Sequence, residues 1–367
     1  MSDNVNQRFE GLICPRSKVA LAPVEGAAFD ASRLVKIART PGSPSGNYGA
    51  GDGRYFLTAG DGSAYGVADG FPVLMYPEKL VAPGNNESVD LHDPRYEEAY
   101  EEMGHYNAVG EKGSTNIADE NLDRLMGKLD GKSPPDTYPS PEHKWIDARH
   151  DALSQLDAYS YLAPLKGKRF LQLGGSGSHA VKALMAGATK ATLLTPMLGE
   201  ARQGRALAEF FGVADRFHAV IAIGEELPFA DGTYDAIFSG GCIHHMRTEY
   251  AFREIHRVLS ANGRFAAVDP WKTPLHTIGT RIFGKREPNV HCRPIDSGRL
   301  APISIFSKSM VRRHGPFLRY IFIVLEKVGI LLPIDTMLAI GKLDDGVART
   351  FGLLDNYGGS IVFAGEK

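Results

Sequence analysis

The stretch that decides the fold is Phe170-Leu171-Gln172-Leu173-Gly174-Gly175-Ser176-Gly177-Ser178. It places a glycine-rich turn directly after a short apolar strand and before a predicted helix. Small residues at such a turn let backbone amides approach a ligand closely, and the first N–H groups of the next helix lack intrahelical partners. The turn alone is typical both of nucleotide sites and of turns that are merely tight, so its meaning depends on the rest of the chain.

Strands and helices alternate along the chain from this turn onward. The pattern predicts strands at 169–173, 191–195, 218–222, 235–239, 264–268 and 361–364, and helices at 179–186, 198–211 and 248–259. Short apolar strands that alternate with helices favour a parallel sheet that is covered on both faces.

Three more segments follow the glycine-rich turn in a fixed order. Residues 225–239 lead into the fourth strand, Ile243-His244-His245-Met246 closes it, and residues 253–259 lead into the fifth. Together the segments resemble the class I S-adenosylmethionine-dependent methyltransferase superfamily, in the branch that modifies small molecules, over roughly 142–270. The resemblance implies a Rossmann-like α/β fold with a seven-stranded, mostly parallel sheet and one antiparallel strand. It also implies that S-adenosylmethionine lies across the carboxyl ends of the strands.

The resemblance further implies which residues bind this cofactor. The glycine-rich turn would hold its methionine part, the loop after the third strand would lie beside the adenine, and the fourth strand would end under the methyl group. Asp235 would be a structural carboxylate. The implied cofactor-binding residues are Gly174, Gly175, Ser176, Gly177, Thr195, Pro196, Met197, Gly224, Glu225, Glu226, Ser239 and Gly240.

The end of the second strand departs from the family pattern. Family members usually place an acid there to hold the ribose hydroxyls, whereas this strand ends in Thr195, and Glu200 is the first acid after Gly187. A threonine can make one hydrogen bond to the ribose but not a bidentate carboxylate contact. This departure is compatible with weaker binding, with a rearranged pocket, or with a fold that has lost the cofactor.

Methyl transfer from a sulfonium is a direct displacement, and much of its rate can come from positioning the acceptor. A general base is needed only where the acceptor loses a proton. His244 and His245 follow the fourth strand and Asp269 ends the fifth, so these three are the candidate catalytic residues. Local packing is the alternative role for either histidine. No metal site is expected, because the histidine pair has no third ligand at a convincing spacing.

Three residues are candidates for binding the acceptor. Trp271 could stack on it, Arg293 could bind a carboxylate or phosphate, and Tyr106 could form part of an aromatic wall. Packing or solvated loop charge is the alternative for each. The apolar stretch 317–332 predicts a buried helix or an oily pocket.

The chain divides into three predicted parts. Residues 1–90 form a small β-rich module, 91–141 a helical cap and linker, and 142–367 the methyltransferase domain with a cap insertion at about 271–340. Segments 12–18 and 64–74 resemble the small zinc-ribbon-like domain of the tRNA-methyltransferase activator family. A zinc site needs cysteine pairs, but Cys14 is followed by Ser17, so a metal-free module that packs on the catalytic domain is expected.

The amino-acid composition indicates which binding partners and which cellular compartment to expect for this protein. Lys and Arg number 41 against 43 Asp and Glu, a balance that argues against a general nucleic-acid binder. Three scattered cysteines favour a reducing, cytoplasmic setting. The uncharged runs 320–325 and 328–334 fall short of the roughly 20 residues that a spanning helix needs, although peripheral membrane contact stays open. The oligomeric state is not indicated.

The sequence therefore predicts an S-adenosylmethionine-dependent methyltransferase that acts on a small, partly apolar metabolite by direct methyl displacement. Two alternatives follow from the missing ribose acid. One is an enzyme that binds the same cofactor but performs another reaction, such as cofactor cyclisation. The other is a degenerate, non-catalytic scaffold in which the β-rich module mediates assembly.

Overall fold

An antiparallel sheet organises the N-terminal part of the protein. The computed structural model describes residues 9–28, 54–61, 64–75, 93, 95–96, 98–103, 149–274, 291–330 and 332–367. The N-terminal strands pair in sequence order, each antiparallel to the next. They are β1 (Leu21–Glu25), β2 (Tyr55–Ala59), β3 (Ala64–Ala68) and β4 (Phe71–Pro72).

Seven strands form the main sheet, in the order β10-β11-β9-β8-β5-β6-β7. The strands β5 to β9 run parallel to one another, and β11 runs antiparallel to both of its neighbours. This confirms the predicted fold class. The strands are β5 (Arg169–Leu173), β6 (Lys190–Thr195), β7 (Phe217–Ile221), β8 (Tyr234–Gly240), β9 (Leu259–Pro270), β10 (Lys308–His314) and β11 (Ser360–Glu366).

Helices cover both faces of this sheet. Alternate residues of each strand point to opposite faces, and apolar side chains on both faces pack against helices. Phe170 and Phe238 pack in the same hydrophobic cluster as residues of α1, α2 and α3, whereas Leu171 and Ile237 pack in the cluster that includes α4. The helices are α1 (Ala152–Leu162), α2 (Ser178–Met185), α3 (Leu198–Phe210), α4 (Thr248–Val258), α5 (Ser297–Leu300), α6 (Leu318–Lys327) and α7 (Ile334–Thr350). Residues 95–96 and 98–103 are also helical and are called the cap helix below.

The chain runs outward from β5 to β7 and then returns to β8 on the other side of β5. Strand order therefore reverses between β5 and β8. In an open parallel sheet this reversal separates the loops at the carboxyl ends of two adjacent strands and leaves a crevice between them. The glycine-rich turn after β5 lies beside this crevice.

The sequence also predicts a helix at about 142–162, with Trp145, Ala148, Leu153, Leu156 and Tyr159 as buried positions, and the structure describes only part of it. A short 3-10 helix at Arg149–Asp151 leads into α1, and residues 142–148, with Trp145 and Ala148, lie outside the described residues. Tyr159 is buried as predicted, whereas Leu153 and Leu156 are only half-buried.

The N-terminal module contacts the main sheet directly. Leu74 N donates to Ile221 O at 2.7 Å, which brings the strand after β4 beside β7, and Ile13 N donates to Pro228 O at 3.0 Å. Cys14 is buried, with its Sγ 3.1 Å from the hydroxyl of Tyr65. No group of three metal-ligating side chains occurs among the described residues. The resemblance of this module to the activator family stays a prediction.

The C-terminal region differs from its prediction in two ways. β10 lies within the predicted cap insertion, yet it is an edge strand of the main sheet. The expected burial of 317–332 is wrong for one face of α6, since Phe317 and Ile321 are 44% and 51% exposed while Phe322 is buried. The physical reason is that α6 packs against α7 and the turn at Arg149–Asp151 on one side only.

No helix in the described ranges is long and apolar enough to cross a membrane.

Candidate active site

A cleft of about 280 Å³ lies at the carboxyl ends of β5, β6 and β8. The described residues that line it include eight of the predicted cofactor-binding residues. They are Gly174, Gly175, Thr195, Pro196, Met197, Gly224, Glu225 and Gly240. The lining also contains residues outside the predicted cofactor-binding and catalytic sets, namely Arg95, Glu98, Ala99, Glu102, Glu200, Ile223, Gly241, Cys242 and Met246.

Gln172 stabilises the glycine-rich turn at the floor of this cleft. Its amide donates from Nε2 to Gly174 O and accepts at Oε1 from Ala180 N, both at 2.7 Å. A Cβ added at Gly175 would meet only that amide, at 3.4 Å, and one added at Gly241 would meet nothing within 4 Å. At these two glycines no side chain covers the backbone that lines the cleft. The backbone is therefore accessible to a ligand, as an adenosyl cofactor requires.

Four predicted cofactor-binding residues lie away from the described lining of the cleft. Ser176 and Gly177 face α3, where a Cβ on Gly177 would come within 2.8 Å of the Gly204 Cα. Gly177 is thus needed for close helix packing. Ser239 is fully buried, and its Oγ has no hydrogen-bond partner among the described residues.

Glu226, the fourth of these residues, joins three parts of the molecule. It pairs with Arg16 of the N-terminal module at 3.0 Å and with Arg95 of the cap helix at 3.1 Å, and it accepts from the Tyr96 hydroxyl at 2.5 Å. The Glu226 carboxylate therefore holds these parts of the protein together and is not positioned to bind the cofactor. Asp93 binds the same two arginines, and although burial opposes it, their hydrogen bonds hold the pKa of Asp93 at about 2.

The cap helix forms the opposite wall of the cleft. Glu98 and Glu102 are spaced i, i+4 and so share one helix face. Glu98 accepts from Arg247 at 2.8 Å and from Arg293 at 2.6 Å. Burial raises the pKa of Glu98, but these hydrogen bonds and charges outweigh burial and the pKa lies below its ordinary value. Arg293, predicted to bind the acceptor, is outside the described lining of the cleft and neutralises Glu98 instead.

The predicted catalytic residues lie in two different environments. His244 Nδ1 lies 2.7 Å from Asp269 Oδ1, and the same oxygen accepts from His244 N at 3.0 Å. Both side chains are buried, and burial lowers the pKa of His244 despite this partner. Neither residue is in the described cleft lining, so they form an internal pair.

His245 does line the cleft. Its Nδ1 lies 3.0 Å from Glu102 Oε1, and its ring centroid lies 4.0 Å from that of His244. Glu102 also accepts from His291 N at 2.6 Å. The cap helix therefore orients the one predicted catalytic side chain that faces the cleft.

The remaining candidates for acceptor binding are not part of the described cleft. Trp271 is buried in the core, with the Arg313 guanidinium 4.3 Å from its ring centroid, so the packing alternative holds. Tyr106 lies outside the described residues. Tyr96 and Tyr100, from the same predicted segment, are buried and pack in the core.

Two carboxyl groups of the cleft have pKa values above the ordinary value for glutamate. Burial raises the pKa of Glu225 to about 7, even though its Oε1 accepts from Arg247 N at 2.8 Å. Burial likewise raises the pKa of Glu200 to about 7. Burial also raises the pKa of Cys242, so this thiol in the cleft is not activated as a nucleophile.

Replacing Glu225 with glutamine is expected to stabilise the protein at alkaline pH. The folded pKa of about 7 lies above the ordinary 4.5, so the folded state keeps a proton that the unfolded state has lost. Wild-type stability therefore falls as pH rises from about 4.5 to about 7, whereas the neutral amide is insensitive. We expect a gain of about 3 kcal/mol at pH 8 and almost none at pH 4, measured by urea unfolding. The exposed Glu209→Gln is the control, and an equal gain at both pH values would contradict the prediction.

Residues 171–267 match the family model described as methyltransferase domain. The match, the sheet order and the glycine-rich turn identify this part of the chain as a methyltransferase domain, as the sequence motifs predicted.

Curated relatives align with part of the chain only. A tRNA U34 carboxymethyltransferase from Methylococcus capsulatus is 36% identical over 91 residues, 24% of this chain and 28% of the relative. A ubiquinone/menaquinone biosynthesis C-methyltransferase UbiE from Rubrivivax gelatinosus is 31% identical over 146 residues, 35% of this chain and 54% of the relative. The alignments thus span about half of these relatives or less.

Solved structures of similar fold cover more of the chain. The geranyl diphosphate C-methyltransferase of Streptomyces coelicolor A3(2) aligns with 71% of this chain and 98% of its own, at a TM-score of 0.45 and 14% identity.

Proposed function

We propose that the protein transfers a methyl group from S-adenosylmethionine to a small, partly apolar acceptor. The observation that carries the proposal is the composition of one cleft. Bare backbone at Gly175 and Gly241 lies on its sheet side, and a histidine oriented by a carboxylate, His245 with Glu102, lies under the cap helix.

The lining also favours an acceptor with an apolar part. S-adenosylmethionine, when bound, provides an electrophilic methyl group. Apolar side chains in the lining favour an acceptor whose apolar part is buried on binding. The apolar lining residues are Ala99, Pro196, Met197, Ile223 and Met246.

His245 is the general base of the proposed reaction, for acceptors that lose a proton. In the tautomer in which Nδ1 donates to Glu102, the lone pair is on Nε2, and that nitrogen takes the proton. Glu102 is a positioning residue, since it fixes the tautomer and stabilises the imidazolium. The relative named as a C-methyltransferase of ubiquinone and menaquinone biosynthesis favours carbon as the acceptor atom.

Calorimetric titration with S-adenosylmethionine and S-adenosylhomocysteine tests the cofactor part of the proposal. We expect both to bind in the micromolar range, and no heat of binding at millimolar ligand would reject it. Transfer of a tritiated methyl group to a panel of quinols and phenols, with and without alkyl chains, tests the acceptor part. Breakdown of S-adenosylmethionine without any acceptor would favour cofactor cyclisation instead.

A further inference from the structure

The second strand of the parallel core, β6, ends without an acid. β6 finishes at Thr195, only Pro196 and Met197 follow, and α3 begins at Leu198. No acid occurs at this strand end, yet Glu200, in the first turn of α3, lines the cleft together with Thr195, Pro196 and Met197.

Thr195 and Glu200 form one hydrogen-bonded unit. Thr195 Oγ1 donates to Glu200 Oε2 at 2.5 Å and accepts from Met197 N at 3.1 Å. The threonine proton is therefore already used within the protein. Glu200 Oε1 accepts no hydrogen bond from the described part of the chain.

The other carboxylates that line the cleft are committed to protein donors. Glu98 accepts from two arginines, Glu102 from His245 and His291, and Glu225 from the backbone N–H of Arg247. Glu200 differs from Glu98 and Glu102, because its partner is a single hydroxyl that fixes one oxygen and leaves the other to a ligand. Glu225 also has a single described donor, but it lies in the loop after β7, whereas Glu200 follows the end of β6.

We propose that Glu200, held in place by Thr195, accepts hydrogen bonds from the ribose hydroxyls of the adenosyl cofactor in place of the missing strand-end acid. This inference rests on the proposed function, since it assumes that the cleft holds this cofactor. The acid has moved by one helical turn, from the strand end into the helix, and the threonine at the old position keeps it in place.

The test is calorimetric titration with S-adenosylhomocysteine and with its 2′-deoxy and 3′-deoxy analogues. Glu200→Gln is expected to bind S-adenosylhomocysteine roughly 10–100-fold more weakly than wild type, because charge-assisted hydrogen bonds are lost. Wild type is expected to bind at least one deoxy analogue roughly tenfold more weakly than the parent compound, whereas Glu200→Gln binds parent and analogue within about threefold. Thr195→Val is expected to weaken the parent roughly 3–10-fold, because it releases Glu200.

Glu209→Gln is the matched control, since Glu209 is an exposed acid on the same helix, and it is expected to bind as wild type does. A Glu200→Gln variant that keeps the full wild-type penalty for both deoxy analogues would overturn the inference while leaving the proposed function intact. A wild-type protein that binds no S-adenosylhomocysteine would instead reject the proposed function. If Glu200→Gln does not fold, the wild-type protein still provides a test. Equal binding of S-adenosylhomocysteine and both deoxy analogues by wild type would overturn this inference and leave the proposed function intact.

Discussion

Replacing His245 with alanine is expected to lower the rate of methyl transfer by roughly 10²–10⁴-fold, the range typical for loss of a general base. The affinity for S-adenosylhomocysteine should change by less than about threefold, because the cofactor is held by backbone and carboxyl groups elsewhere in the cleft. Tritiated methyl transfer and calorimetric titration measure the two quantities on the same preparation.

Two further variants separate chemistry from structure. Glu102→Gln keeps a hydrogen bond to His245 but loses the charge, so it should lower kcat roughly tenfold and leave the affinity for S-adenosylhomocysteine nearly unchanged. His256→Ala, on α4 and outside the described cleft lining, is the control for loss of an imidazole. If His245→Ala keeps the wild-type kcat and pH profile, His245 is not the general base. Positioning of the acceptor would then account for the rate by itself.

Most of the sheet could be predicted from the sequence, because its signals are local. The strands at 169–173 and 191–195 and the helix between them appear within a residue of their predicted bounds, since buried parallel strands consist of short continuous apolar runs. β10 was missed for the opposite reason. Its residues Lys308–His314 are mostly exposed, and an edge strand with charged side chains carries no apolar pattern.

The candidate site could be predicted only on its sheet side. Gly174, Gly175 and Gly224 belong to motifs whose order along the chain fixes their place. The cap helix is different, because its contact with His245 joins residues 143 positions apart, and no local pattern encodes such a pairing. The sequence predicts a helical cap at 91–141, and the i, i+4 spacing of Glu98 and Glu102 indicates a shared helix face, but neither signal identifies His245 as the partner.

Glu200 illustrates a related limit. The missing acid at Thr195 was visible as a departure from the family pattern, and Glu200 was visible as the next acid. What the sequence lacked was the hydrogen bond of 2.5 Å that connects the two. A five-residue separation across a strand end and a helix start does not fix whether the side chains meet, because the direction of the connection decides it.

Replacing Gly174 with alanine is expected to damage both stability and cofactor binding. Gly174 has a φ of +70°, and the added Cβ would lie 2.4 Å from the Sγ and 2.7 Å from the Cβ of Cys242. The left-handed conformation alone costs about 1–2 kcal/mol for a residue with a side chain, and the clash adds about 1–3 kcal/mol. Urea unfolding should therefore reveal a loss of about 3 kcal/mol.

The clash has a consequence for the ligand, because Cys242 and Gly174 both line the cleft. Relief of the contact requires the segment after β8 to move, so the affinity for S-adenosylhomocysteine should fall more than tenfold, or about 1.4 kcal/mol. The variant Gly212→Ala separates the free-energy cost of the left-handed backbone from the cost of the clash with Cys242. Gly212 has a φ of +67° with nothing within 4 Å of the added Cβ, and it is not among the described residues of the cleft.

Gly212→Ala should therefore lose only the backbone part of the stability and bind the ligand normally. Combining Gly174→Ala with Cys242→Gly removes both clashing atoms and should restore most of the affinity, with a coupling free energy of about 1–3 kcal/mol between the two sites. If Gly174→Ala and Gly212→Ala behave alike in both measurements, the contact with Cys242 does not control the shape of the cleft, and the glycine at this position is required by its backbone conformation alone.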